Sequence, residues 1–112
     1  MLPDLRQPRI RELSESELPR RHWRGDDGDG GVWLFESVEG DGEHWAIRQI
    51  EIDARRGVHL YWWRHLQDEH GFLTDQALEI WDLTEIGEAA FQAVWAAGEE
   101  PGEYRDGQRD EE

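Results

Sequence analysis

Two imidazoles bracket two carboxylates in HLQDEH, residues 65–70, which offers nitrogen and oxygen ligands close together. Metal sites on helices use His at i and i+4, whereas His65 and His70 are five apart in a segment that reads as loop. His59 shares a strand face with His65 but lies three alternating steps away, too far for one ion. RGDDGDGG, residues 24–31, spaces its acids as a calcium loop does. Asp27-x-Asp29-x-Gly31 nevertheless lacks the third ligand and the closing Glu, so a solvated turn is expected. No metal and no cofactor follow from these patterns.

Catalysis finds no better footing. Carboxylates are so numerous that their pairing carries no information, and Ser14, Ser16 and Ser37 lie in no nucleophile motif. The absence of Cys removes thiol chemistry, disulfides and Cys-based zinc. No catalytic residue and no enzymatic activity is expected.

Binding is what the remaining side chains are suited to. HLYWWRH, residues 59–65, places three aromatics in a row on an apolar run, and consecutive strand residues point to opposite faces. If a tight turn pairs Ile52 with Val58, counting sets Ile50 opposite Leu60, Arg48 opposite Trp62, Ile47 opposite Trp63 and Trp45 opposite His65. One face then carries Ile50, Ile52, Val58, Leu60 and Trp62. The other carries Trp45, Ile47, Gln49, Tyr61 and Trp63, flanked by Glu51, His59 and His65. Trp63, Tyr61 and Trp45 are the expected anchors for a partner, with His59, His65, Asp68 and Glu69 around them, because aromatic side chains dominate interface energetics. The competing expectation covers that face internally, with the N-terminal arm or with residues 72–78.

Charge restricts the partner. Twenty-seven Asp and Glu face 12 basic residues, all Arg, for a net charge of -15. A field of this sign repels nucleic acid and anionic membranes and attracts basic proteins, although a Lys-free, Asp- and Glu-rich composition also arises from a high-GC or salt-adapted genome. Residues 1–24 hold six Arg against four acids, net +2, and residues 25–112 hold six Arg against 23 acids, net -17. The arm therefore suits the acidic body of its own chain.

At 112 residues one domain is expected. Its divisions read as an Arg-rich arm over residues 1–24, an α+β domain over 25–98 and a mobile acidic tail over 99–112. In the arm, SESEL opens a short helix that Pro19 ends. VWLFESV, HWAIRQIEI and VHLYWWRH, separated by Gly-containing turns, predict a three-stranded antiparallel meander, with a fourth strand or an irregular apolar segment over residues 77–83. Asp82 as N-cap gives a capping box with Glu85 and a staple between Trp81 and Ile86. The helix it opens has an inward stripe of Ile86, Ala90, Ala93, Val94 and Ala97, with Phe91 and Trp95 at its edge and Gly98 as its stop. The fold class is an α+β meander of three or four strands with this C-terminal helix packed on one face. With no long apolar run, a cytoplasmic protein without membrane contact is expected.

The run from Trp45 to Trp95 resembles a small uncharacterised bacterial domain in which a W-x-x-R-x-(V/I)-E-(V/I) strand and a Gly turn lead to a helix ending E-F-x-x-(V/I)-W. Here WAIRQIEI, Gly57 and AFQAVW occupy those places, with Ala90 where an acid stands in the pattern. The resemblance implies the strand, strand, helix order and no activity.

The expected function is a non-enzymatic acidic binding module of inhibitor or immunity type, its partner a basic protein or a nucleic-acid-handling complex. The alternatives are a nucleic-acid mimic that occupies a DNA- or RNA-binding protein, and a structural subunit tethered to an assembly by its Arg-rich arm.

Overall fold

The computed structural model describes residues 6–99. A helix α1 (Arg6–Ser14) precedes strands β1 (Arg21–Asp26), β2 (Val32–Gly40), β3 (Glu43–Ile52) and β4 (Val58–Tyr61). A single 3-10 turn (Ile80–Asp82), β5 (Thr84–Ile86) and α2 (Glu88–Glu99) follow. The strands form one antiparallel sheet in the order β4-β3-β2-β1-β5. The α+β class and the meander hold, enlarged to five strands and two helices. The tail expected over residues 99–112 lies, beyond Glu99, outside the described residues.

The register counted across the 53–57 turn is the one observed: Ile52 faces Val58, Ile50 faces Leu60 and Gln49 faces Tyr61. Asp53 Oδ1 fixes that turn by accepting the backbone N–H groups of Arg55 and Gly57. Beyond Tyr61 the count fails. Trp62 and His65 exchange backbone hydrogen bonds of 3.1 and 2.8 Å, so the chain reverses at once instead of continuing alongside β3.

A bulge in the β2–β3 pairing causes a second departure. Glu36 faces Arg48 and Ser37 faces Ala46, leaving Ile47 as the extra residue. Every side chain before Ile47 is thereby shifted by one face. Ala46, not Trp45 or Ile47, joins Tyr61 in the core on that side.

The arm is not separate from the body. His22 and Trp23 are buried in β1, between β2 and β5, so the boundary expected at residue 24 runs through a strand. RHWRGD was unreadable as a strand because its two faces bury different chemistries: His22 bonds Glu36 and Trp23 Nε1 donates to Ser37 Oγ at 2.9 Å. The arm's helix is also earlier than expected, ending where SESEL was to begin it. Its open carbonyls are collected by Arg20, which donates to Ser14 O at 2.7 Å, Ser16 O at 3.0 Å and, more weakly, Leu13 O at 3.4 Å. Replacing Arg20 with Ala is expected to cost about 1–2 kcal/mol, read by chemical denaturation, with a loss of helical signal.

Two cores lie on the two faces of the sheet. One contains Leu34, Ile50 and Leu60 under Phe91 and Trp95 of α2. Here the expected stripe is displaced: Ala90, Ala93 and Ala97 are exposed, while Phe91 and Trp95, one turn apart, face the sheet. Two large rings bury far more apolar area than three methyl groups. The helix starts at Glu88, because Thr84–Ile86 pair with β1 as β5 and the Asp82 capping box does not form. Gly98 lies within α2, where a Cβ would come 2.9 Å from Val58 Cγ1, so it serves close approach to β4 and is no stop.

The other core contains Trp23, Phe35, Ala46 and Tyr61. Ile10 of α1 covers it, together with Leu66, Leu73 and Leu78 of the segment that runs from β4 at one sheet edge to β5 at the other. No helix of the described residues is long and apolar enough to cross a membrane.

Candidate functional site

The structure answers what lies on the expected anchors. Tyr61 is 0% exposed and cannot reach a partner. Trp63 is half-buried between the guanidinium groups of Arg11 and Arg64, at 4.6 and 4.9 Å from its ring, and Arg9 lies 4.7 Å over Trp45. The arm thus covers both Trp side chains from within the same chain.

Tyr61, His65 and Asp68 do come together, as a structural group. The two-residue reversal at Trp63 and Arg64 folds His65 back onto Tyr61, rings 5.6 Å apart and nearly parallel. Asp68 starts the next turn and accepts from Tyr61 Oη at 2.8 Å, His65 Nε2 at 2.9 Å and the backbone N–H groups of His70 and Gly71. Partial burial would raise the Asp68 pKa, but these donors outweigh it and hold the carboxyl at about 2. Burial, then the Asp68 charge, push the Tyr61 hydroxyl up. A carboxylate this well satisfied makes a poor base. Its pKa is lowered from 3.8, so its contribution to stability is complete above that value and is lost as pH falls toward 2. Asp68→Asn is accordingly expected to lower stability at neutral pH and to flatten this acid limb, followed by denaturant titration at several pH values.

Beside this group His59 donates to Asp53 at 2.9 Å and stacks on His70, centroids 4.2 Å apart. The His59 bond, with the Gly57 and Arg55 amides, lowers the Asp53 pKa to about 2. Glu69 sits 3.5 Å from His70 with its side chain 85% exposed. Among the described residues no group of three or more His, Asp and Glu is placed to hold a metal. In the 24–31 loop, Asp27 Oδ1 is taken by the backbone N–H groups of Asp29 and Gly31.

Sequence reasoning passed over the side chains that are most open. The segment joining β4 to β5 turns Leu66, Leu73 and Leu78 inward and leaves Phe72 53% and Trp81 78% exposed. Trp81, expected to staple α2, stands in solvent because β5 takes the place of that helix start. Trp33 of β2 is also exposed, 6.4 Å from Phe35, and its cross-strand neighbour is Glu51 of β3. Gln49 reaches across, donating to Phe72 O at 2.8 Å and to Glu51 Oε2 at 3.0 Å. Burial raises the Glu51 pKa, only partly offset by Gln49 and His59 and reinforced by the charges of Asp68 and Asp27. The alternation of strand faces could have paired Trp33 with Glu51, but only the whole sheet shows which rings stay uncovered.

Comparison of the chain with family models, curated proteins and solved structures returns no match.

Proposed function

We propose that this protein is a non-enzymatic binding module of inhibitor or immunity type that docks a basic protein. The observation that carries this reading is the pair Phe72 and Trp81, presented outward by a segment whose leucines are buried, on a body with six Arg against 23 acids. Exposed aromatic rings supply contact area at low entropic cost, and an acidic surface steers a cationic partner and excludes nucleic acid. Anchoring passes from Tyr61, Trp63 and Trp45 to these two rings, since the former are buried or covered by arginine. The reading of the arm as a tether loses support for the same reason: Ile10 is in the core and Arg9 and Arg11 are engaged within the chain.

The test is affinity capture from the native host, with partners identified by mass spectrometry and binding remeasured with purified components. A partner of high isoelectric point is expected, bound less tightly as salt rises. The Phe72→Ala/Trp81→Ala double variant should lose at least tenfold in affinity while keeping its melting temperature, as for central interface aromatics. An unchanged affinity in that variant would remove these rings as anchors. A partner displaced by DNA and indifferent to both substitutions would favour the nucleic-acid mimic.

A further inference from the structure

Four indoles of this protein lie under a guanidinium and three partly buried carboxylates are bonded by a cation, whereas one directly opposed indole and carboxylate show neither among the described residues. Trp23, Trp45, Trp63 and Trp95 each carry an Arg guanidinium, Arg21, Arg9, Arg11 and Arg48, at 4.6–4.7 Å from the ring. Trp33 carries no such cation among the described residues. Glu36 is bound by Arg48 and His22, Asp53 by His59 and Asp68 by His65. Glu51, half-buried, accepts only the neutral Gln49 amide among the described residues. Trp33 and Glu51 are directly opposite in the β2–β3 register and so project from the same face as neighbours.

An indole face beside a carboxylate that no cation bonds among the described residues, His59 being bonded to Asp53, is the half of an interaction this chain completes elsewhere with arginine. We propose that Trp33 and Glu51 form the seat for a guanidinium supplied by the basic partner, the ring stacking on its plane and the carboxylate pairing with its N–H groups. This rests on the reading of the protein as a docking module for a basic protein, and it names the group that is recognised. Gly71 closes one side of the seat, since a Cβ there would lie 2.7 Å from Glu51 Oε1. His59 flanks the carboxylate on β4. Arginine suits the seat better than lysine because its planar cation stacks and pairs simultaneously.

The experiment titrates a hexa-arginine peptide and, separately, a hexa-lysine peptide into the isotope-labelled full chain at low ionic strength, following backbone amide and indole resonances. Saturable shifts centred on the Trp33 indole and the amides around Glu51 and Gly71 are expected, larger for arginine. Glu51→Gln and Trp33→Ala should each weaken the arginine peptide roughly tenfold. Shifts scattered over the acidic surface, with Glu51→Gln binding as tightly as the parent, overturn the seat and leave the docking reading standing. Absence of saturable binding by either peptide overturns both. Glu51→Gln keeps the shape and the Gln49 contact, so folding is preserved and the comparison stays interpretable.

Discussion

Replacing Glu36 with Ala is expected to lower stability by about 3–5 kcal/mol, a large share of the roughly 5–15 kcal/mol that a domain of this size possesses. Glu36 is buried at the centre of the sheet, where Arg48 Nε donates to Oε1 at 2.7 Å and His22 Nε2 donates to Oε2 at 3.0 Å. The same guanidinium lies 5.0 Å over Phe91 and 4.6 Å over Trp95, and it donates to Gln92 Oε1 at 2.9 Å. One carboxylate therefore neutralises the cation that binds α2 to the sheet. Without it Arg48 and His22 keep their desolvation cost and lose their compensation, which is why truncating one partner is far worse than removing the group entirely. Glu36→Leu combined with Arg48→Met should recover part of the loss, the remainder reflecting buried His22 left without its acceptor, measured by denaturant unfolding. A loss below about 1 kcal/mol for Glu36→Ala would show that α2 is held by Phe91 and Trp95 alone.

The pH dependence follows with a definite sign. Burial would raise the Glu36 pKa, but the Arg48 bond and charge and then His22 outweigh it, and the net shift is downward from 4.5. The folded state thus binds its proton more weakly than the unfolded chain. Its stabilisation is complete above 4.5 and disappears as pH falls through the lower folded value.

At Glu51 the expected effect has the opposite sign. Glu51→Gln is expected to raise stability at neutral pH by about 0.5–1 kcal/mol, a melting-temperature gain of about 2–8 °C. Burial raises the Glu51 pKa above 4.5, so the ionised form opposes folding once pH exceeds the folded value, and the amide removes that opposition while keeping the Gln49 contact. Below 4.5, where the parent carboxyl is protonated in both states, the gain should vanish; calorimetry on either side of this pH checks it. A stability loss on substitution would falsify the view of Glu51 as an uncompensated charge. A carboxylate kept at a cost to stability is what the proposed guanidinium seat calls for, because a bound cation would supply the missing compensation.

Local residue chemistry fixed several features in advance. Asp53 and Gly57 define a turn of known length, and period-two alternation on either side admits only the Ile52 and Val58 pairing, so the β3–β4 register could be counted. The arm's attachment was foreseeable from sign alone, since arginines on a strongly acidic chain meet its carboxylates or its rings, and Arg9 and Arg11 meet Trp45 and Trp63. The two-faced aromatic strand left open whether the second face meets the chain's own arm or a partner, and the expectation of partner anchors at Tyr61, Trp63 and Trp45 gave way to an internal cover.

Other features depended on partners distant in the chain. The Ile47 bulge reverses the faces of β3's first half and leaves no trace in the local pattern, because either register buries apolar side chains. RHWRGD becomes a strand only with Ser37 and Glu36 beside it, and TEI pairs with β1 across some 60 residues, displacing a well-formed capping box. Tertiary pairing there outweighs local propensity, since β5 closes the sheet edge while a cap contributes about 1 kcal/mol. Composition alone determined that this chain is an acidic, arginine-only body rich in indoles. Which indoles lie under an arginine was decided by the folded sheet, because that depends on which rings tertiary packing brings within reach of Arg9, Arg11, Arg21 and Arg48.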